Sequence, residues 1–365
     1  MNRMIEMMRP GRARTSDRTS TEANRKPSRG TRTWRWWAGR TLAGLLLLVM
    51  VLAAVTLGAG ARAKAALRAS HPPIGQMVDV GGYKLHIACV GEGSPTVLLD
   101  AGAGALGLTW AQVQPTVARS TRVCTYDRAG LGWSERSPRP RTAEVMVDEL
   151  HSLLTNAGIA GPYVLVGHSL GGLVVRQYAH AYPAGVAGIV LVDSAHEAQW
   201  LRFPEAVRNN LPSVLRQLRL FQTAASVGIG ALKPSLMPLE SRLPMEAAET
   251  ARALKISGAD IGTMAAEMEQ LASGRTPPVT TLGDIPLIVL SQGHRDPDSV
   301  PSGAAITPEV LQEYDQTCEQ LQRELAVLST HGKRIVADGS GHNIQLDRPD
   351  VVIGAIEELL AVARR

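Results

Sequence analysis

The sequence predicts an α/β fold: an eight-stranded, mostly parallel sheet with helices on both faces and a helical cap insert, preceded by one transmembrane helix. From residue 76 onward, short apolar runs of strand length alternate with amphipathic helical patterns, as a sheet covered on both faces requires. That alternation breaks once, over residues 195–282, where helical patterning continues without a strand. A single uncharged stretch, residues 41–61, precedes all of it.

Composition limits what the chain can be. With 45% hydrophobic and 19% charged residues in 365, it can bury a sizeable core, which excludes disorder throughout. The net charge of +5 suggests a nucleic-acid partner only until its distribution is read. Residues 1–40 carry eleven Lys/Arg against Glu6, Asp17 and Glu22, a net of +8, so that the other residues sum to −3 within the chain total. The basic balance belongs to an arm, rich in Arg, Ser and Thr and without apolar periodicity, which reads as disordered and cytoplasmic; no nucleic-acid partner is expected.

The stretch TLAGLLLLVMVLAAVTLGAGA, residues 41–61, is 21 residues long, enough at about 1.5 Å per residue to cross a hydrocarbon layer of about 30 Å. Trp34, Trp36 and Trp37 stand where an interfacial aromatic belt would, and the preceding positive charge keeps the N-terminus cytoplasmic. The reading is a signal anchor with the remainder outside the cell membrane. A cleaved signal peptide ending near Ala59-Gly60-Ala61, releasing a secreted protein, is the alternative. Residues 62–75 are then a linker.

The core occupies residues 76–194 and 283–365. MVDVGGYKLHIACVG reads as a hairpin through Gly81-Gly82, PTVLLDAG as a strand buried on both faces, and TRVCTYD as the next strand. A helix begins near Thr142 and ends at Gly158, followed by the strand YVLVGH, the helix LGGLVVRQYAHAYP and the strand GIVLVDS. After the insert come the strand IPLIVLSQG, a helix around 308–328, the strand KRIVADG and a final helix from Pro349. The insert over residues 195–282 is expected to cap the strands' carboxyl ends, where open α/β sheets bind ligands. Cys89 and Cys124 lie in separate strands and could pair in an oxidising compartment if those strands are neighbours; buried free thiols are the other reading.

The chemistry centres on YVLVGHSLGG. Ser169 ends a buried strand and opens a helix, with Gly167 and Gly171 two residues to either side, as a nucleophile elbow needs. A serine hydroxyl is a weak nucleophile, so a histidine must take its proton and a carboxylate must orient that histidine. His342, in DGSGHNIQ just beyond the last strand, is the expected base; His196 and His294 lie on the same sheet edge as rivals, and His168 is read as a packing or hydrogen-bonding residue. Asp296, in the loop after IPLIVLSQG, is the expected acid, with Asp298 and Asp193 as alternatives and Asp338 on the same edge. Oxyanion donors are expected from the backbone N–H groups of Leu170 and Ala103.

GAGALG, residues 102–107, matches G-x-G-x-x-G, and Asp127 follows twenty residues later like a dinucleotide fingerprint. Pro115 interrupts the helix such a cofactor would need, and the motif follows the third strand instead of the first, so a nicotinamide cofactor is not expected.

With VLLDAGAG, YDRAGLGWS, GHSLGG and SGHNIQLDRP in place, residues 75–365 resemble the α/β-hydrolase superfamily. The usual His-Gly of the oxyanion loop is replaced by Asp100-Ala101-Gly102, and Asp127 and Arg128 are expected to brace the neighbouring loop as an ion pair. The resemblance implies a serine hydrolase that cleaves carboxylic esters or related acyl compounds through an acyl-enzyme on Ser169, with no metal or organic cofactor. The substrate is a small molecule, apolar if the stretch 221–239 of the insert faces it. An acyltransferase and a non-catalytic binding module on the same fold are the alternatives.

Overall fold

A computed structural model describes residues 29–226, 228–256, 259–294 and 307–365. Helix α1 (Arg29–Ser70) contains the long apolar stretch, whose leucines are all exposed, and it is long and apolar enough to cross a membrane. The chain divides into residues 1–54 and 55–365, and the sheet lies in the second unit. The helix continues past Ala61 to Ser70, where a linker was expected; residues 62–69 are Ala, Arg, Lys and Leu, strong helix formers with no Gly or Pro among them.

The sheet has eight strands: β1 (Gln76–Asp79), β2 (Lys84–Val90), β3 (Thr96–Asp100), β4 (Val123–Tyr126), β5 (Tyr163–His168), β6 (Val186–Val192), β7 (Leu287–Gln292) and β8 (Gly332–Ala337). Their order is β1-β2-β4-β3-β5-β6-β7-β8, antiparallel at the β1–β2 and β2–β4 pairings and parallel thereafter. The first turn needs Gly81 and Gly82, whose φ values of 117° and 95° suit no side chain, and Asp79 Oδ1 accepts from both N–H groups.

Side chains alternate between two apolar layers. Leu98, Leu165, Ile189 and Leu191 pack on one face against α3 (Ala143–Asn156), α4 (Leu170–Ala181) and α10 (Pro308–Ala326). On the other face, Val97, Leu99, Val164, Val166 and Val190 pack against α2 (Gln114–Val117) and α12 (Pro349–Ala363). Burial on both faces is why these strands read as continuous apolar runs, each such side chain contributing roughly 1.5–3 kcal/mol.

Between β6 and β7 the chain forms α5 (Gln199–Arg202), α6 (Glu205–Ser226), α7 (Ile229–Leu232), α8 (Met245–Lys255) and α9 (Ala259–Ala272), with no strand among the described residues. A short helix, α11 (Ile344–Asp347), follows β8. The connection from β3 runs to β4 on one side and that from β5 to β6 on the other, so the loops after β3 and β5 flank one crevice. Cys89 and Cys124 stand directly opposite in the β2–β4 register and form a disulfide.

Candidate active site

Ser169 sits between β5 and α4 with φ 50° and ψ −119°, a conformation that a non-glycine residue adopts only when its surroundings impose it. They do so through hydrogen bonds on both sides: Ser169 N–H donates to Val192 O (3.1 Å), and its carbonyl accepts from Gly172 N (3.0 Å) and Ala195 N (2.9 Å). The turn closes tightly enough that a Cβ on Gly167 would lie 2.4 Å from Gly171 O, and one on Gly171 2.5 Å from Asp100 O. The elbow expected from the sequence therefore has its physical cause in backbone packing.

His342 lies in the loop between β8 and α11, and its Nδ1 is 2.6 Å from Asp193 Oδ2. Asp193 is the first residue past β6, with φ 39°; its own N–H donates to Leu290 O, and its Oδ1 accepts from Gln292 N–H at 3.2 Å. The imidazole therefore meets a carboxylate fixed by a second hydrogen bond. Asp296 and Asp298 lie outside the described residues. The carboxylate on His342 is that of Asp193, held in sequence reading as an alternative. The left-handed φ of Asp193 at the end of β6 accompanies a side chain that meets the loop after β8.

Ser169, Asp193 and His342 line one cavity of about 360 Å³. Gly102 and Ala103 border it from the loop after β3, and a Cβ on Gly102 would come within 2.9 Å of His168 Nδ1, so the loop can approach the elbow only without a side chain there. Leu170, expected as the other oxyanion donor, is the first residue of α4, where N–H groups have no partner within the helix. The far wall is apolar: Trp200, Phe203 and Val207 from the segment after β6, Met264, Met268 and Leu271 from α9. Of the rival bases, His196 lines this cavity beside Glu197, and burial pushes its pKa down; His294 borders other surface recesses.

His168 is buried directly beneath, its ring centroid 4.7 Å from that of His342. Its Nε2–H donates to the His342 carbonyl at 3.0 Å, leaving Nδ1 to accept from the Gln345 amide at 3.3 Å. Burial, with the nearby His342 adding to it, holds His168 well below the usual histidine pKa, so it remains neutral and serves as a fixed strut.

The loop after β3 is held by Arg128 and Glu267 and not by the expected Asp127–Arg128 pair. Arg128 does not pair with Asp127. It donates to Asp100 Oδ1, Ala101 O and Gly102 O, each at 2.6 Å, and to both oxygens of Glu267 on α9, at 2.8 and 3.0 Å. Glu267 also accepts from Gly104 N–H at 2.9 Å. Burial alone would lower the Arg128 pKa, but Glu267 and Asp100 outweigh it and hold the guanidinium charged. Asp127 instead takes His86 (3.0 Å) and the N–H of Gly107 (2.8 Å). The twenty-residue spacing that imitates a dinucleotide fingerprint is this internal bond.

Sequence reasoning missed Glu267 and the buried Arg176, which donates to Ser194 Oγ (2.7 Å) and Ala195 O (3.0 Å) behind the elbow. The signal for Glu267 was present: Met264, Glu267, Met268 and Leu271 fall at i, i+3, i+4 and i+7, placing a carboxylate on an apolar helix face.

The sequence model of the alpha/beta hydrolase family matches residues 97–355. Among curated proteins, the chain is 28% identical over 275 residues to an uncharacterized protein of Bacillus subtilis, a match covering 75% of this chain and 86% of that one. A 136-residue segment is 36% identical to a probable transporter of Hormonema carpetanum; it covers 35% of this chain and only 20% of the transporter. Among solved structures, a thermophilic esterase from Thermogutta terrifontis superposes with a TM-score of 0.56 at 25% identity, covering 80% of this chain and all of that one.

Proposed function

The chain belongs to the alpha/beta hydrolase family, and from that premise we propose that it is a serine hydrolase cleaving carboxylic esters through an acyl-enzyme on Ser169. The observation that carries this reading is the 2.6 Å contact between Asp193 and His342 in the cavity that Ser169 also lines. Asp193 keeps the imidazole proton on Nδ1, so Nε2 carries the lone pair that takes the Ser169 proton as the hydroxyl attacks the ester carbonyl. The tetrahedral oxyanion is met by the N–H groups of Ala103 and Leu170. The imidazolium then protonates the departing alkoxide, and water, activated by the same nitrogen, releases the acid. An alcohol in place of water would make the reaction an acyl transfer.

The apolar far wall favours esters with an apolar acyl or alkyl group. We place the catalytic unit outside a membrane spanned by the apolar part of α1: the eleven positive charges in residues 1–40 hold the N-terminus inside, and the Cys89–Cys124 disulfide fits an oxidising compartment.

A fluorophosphonate probe tests the core of this proposal. Wild-type protein is expected to label stoichiometrically and to hydrolyse p-nitrophenyl esters, and Ser169→Ala to do neither. A wild type that binds small acyl compounds but does not label would favour the non-catalytic binding module.

A further inference from the structure

We infer that Glu267, a residue of the segment between β6 and β7, is a positioning residue for the reaction: together with Arg128 it sets the direction of the Ala103 N–H that faces the oxyanion. This rests on the proposed role of Ser169 and adds to it a dependence of catalysis on α9. In a trans peptide the C=O and the following N–H point in opposite directions. Arg128 Nη2 pulls the Gly102 carbonyl toward itself at 2.6 Å, so the N–H of Ala103, on the same plane, is turned away from the guanidinium. The next plane is held from the other end, because Gly104 N–H donates to Glu267 Oε2 at 2.9 Å. Ala103 is therefore fixed on both sides: the Gly102 carbonyl accepts from Arg128 and from Ala105 N–H (3.0 Å), and the Arg128 and Gly104 holds both end on the carboxylate of Glu267, which binds the guanidinium through both oxygens.

The geometry excludes the bland reading that Glu267 only neutralises a buried cation. Asp100 already supplies a carboxylate to Arg128 at 2.6 Å, and a second, fully buried one adds net negative charge that burial disfavours. What Glu267 contributes that Asp100 does not is the bond to Gly104 N–H. Within the loop Ala105 N–H donates to Gly102 O at 3.0 Å and Gly104 has φ 65°, while the Ala103–Gly104 plane takes its bond from Glu267.

The test compares Glu267→Gln and Glu267→Ala with Glu149→Gln, using full-length protein in detergent and p-nitrophenyl butyrate as substrate. Glu149 is an equally buried carboxylate, paired with Arg141 and Tyr83 away from the cavity, and serves as a control for lost buried charge. The inference expects kcat to fall about tenfold in Glu267→Gln and about a hundredfold in Glu267→Ala, with KM within twofold, since a lost or misaimed oxyanion donor costs on the order of 10²–10³ in kcat. Fluorophosphonate labelling should slow in parallel, while Glu149→Gln loses thermal stability but keeps kcat within twofold. A folded Glu267→Gln with kcat within twofold of wild type, or a Glu149→Gln that loses kcat equally, overturns the inference. Should the Glu267 variants not fold, hydrogen exchange on wild type decides. The Gly104 amide, bonded to Glu267, should be protected as strongly as those of 264–272, and fast exchange at Gly104 beside a protected α9 overturns it. A wild type that labels at Ser169 while these outcomes fail removes only the role of Glu267. A wild type that never labels removes the reading of the site as well.

Discussion

Asp193→Asn isolates the acid's contribution with little structural disturbance. Asparagine is isosteric and, like aspartate, tolerates the left-handed φ of 39° found here, so backbone strain is unchanged. Its Oδ1 still accepts from Gln292 N–H, which leaves the amide NH₂ facing His342 Nδ1 in place of the carboxylate oxygen now at 2.6 Å. An NH₂ can only donate, so Nδ1 becomes the acceptor and the imidazole proton moves to Nε2, the nitrogen that must accept from Ser169. The catalytic tautomer is removed while every heavy atom stays in place. Loss of about 10³–10⁴ in kcat is expected, corresponding to roughly 4–5.5 kcal/mol of transition-state stabilisation, with KM little changed. Steady-state hydrolysis of p-nitrophenyl butyrate measures this, with Asp296→Asn and Asp298→Asn run beside it and expected to stay within twofold of wild type. An Asp193→Asn enzyme that keeps a tenth or more of its turnover, or an Asp296→Asn enzyme that loses a thousandfold, would refute the reasoning.

Two further expectations concern stability and topology. Asp260 is buried in the first turn of α9, and burial, reinforced by the charge of Asp127, raises its pKa to about 7. Between about pH 4 and pH 7 the folded chain holds this proton and the unfolded chain has lost it, so stability declines as pH rises through that window and levels off above it. Asp260→Asn should therefore melt at the wild-type temperature near pH 4 and several degrees higher at pH 8, an upper bound of roughly 4 kcal/mol; equal melting temperatures at pH 8 would contradict the raised pKa. The Cys89–Cys124 bond closes a loop of 35 residues, for which chain entropy gives roughly 3–4 kcal/mol. Protein alkylated before lysis should yield the linked peptide pair and lose several degrees of melting temperature on reduction, and two alkylated thiols would place the domain in a reducing compartment.

The fold was legible because its signals are local. Apolar runs such as Val164 to Val166 and Ile189 to Val192 are buried on both faces, and the hairpin glycines and the strand–serine–helix junction each identify themselves within ten residues. Ser169 and His342 were legible as candidates for the same reason, each lying past a strand end, and the structure brings both to one cavity. The carboxylate on His342 was harder to read, because Asp193, Asp296, Asp298 and Asp338 all follow strands in the sequence, and no residue type announces the φ of 39° that Asp193 adopts. Arg128 illustrates the other limit: its partner Glu267 is 139 residues away, and the neighbouring Asp127 offered a closer but incorrect candidate.

Backbone strain supports this choice of site independently of motif matching. Among the described residues, the non-glycine positions with positive φ are Ser169 and Asp193. Each conformation costs about 1–3 kcal/mol, and each is over-determined by hydrogen bonds to a neighbouring strand: Ser169 to Val192 and Asp193 to Leu290. The two residues stand one position past β5 and β6, which are adjacent and in register from Val164–Gly188 to His168–Val192. A packing serine or a solvated aspartate would gain nothing from such an angle, since a small rearrangement of a loop would relieve it. Both strained residues line the same cavity, together with the histidine that Asp193 holds, so among the described residues the unfavourable non-glycine backbone falls at that one cavity.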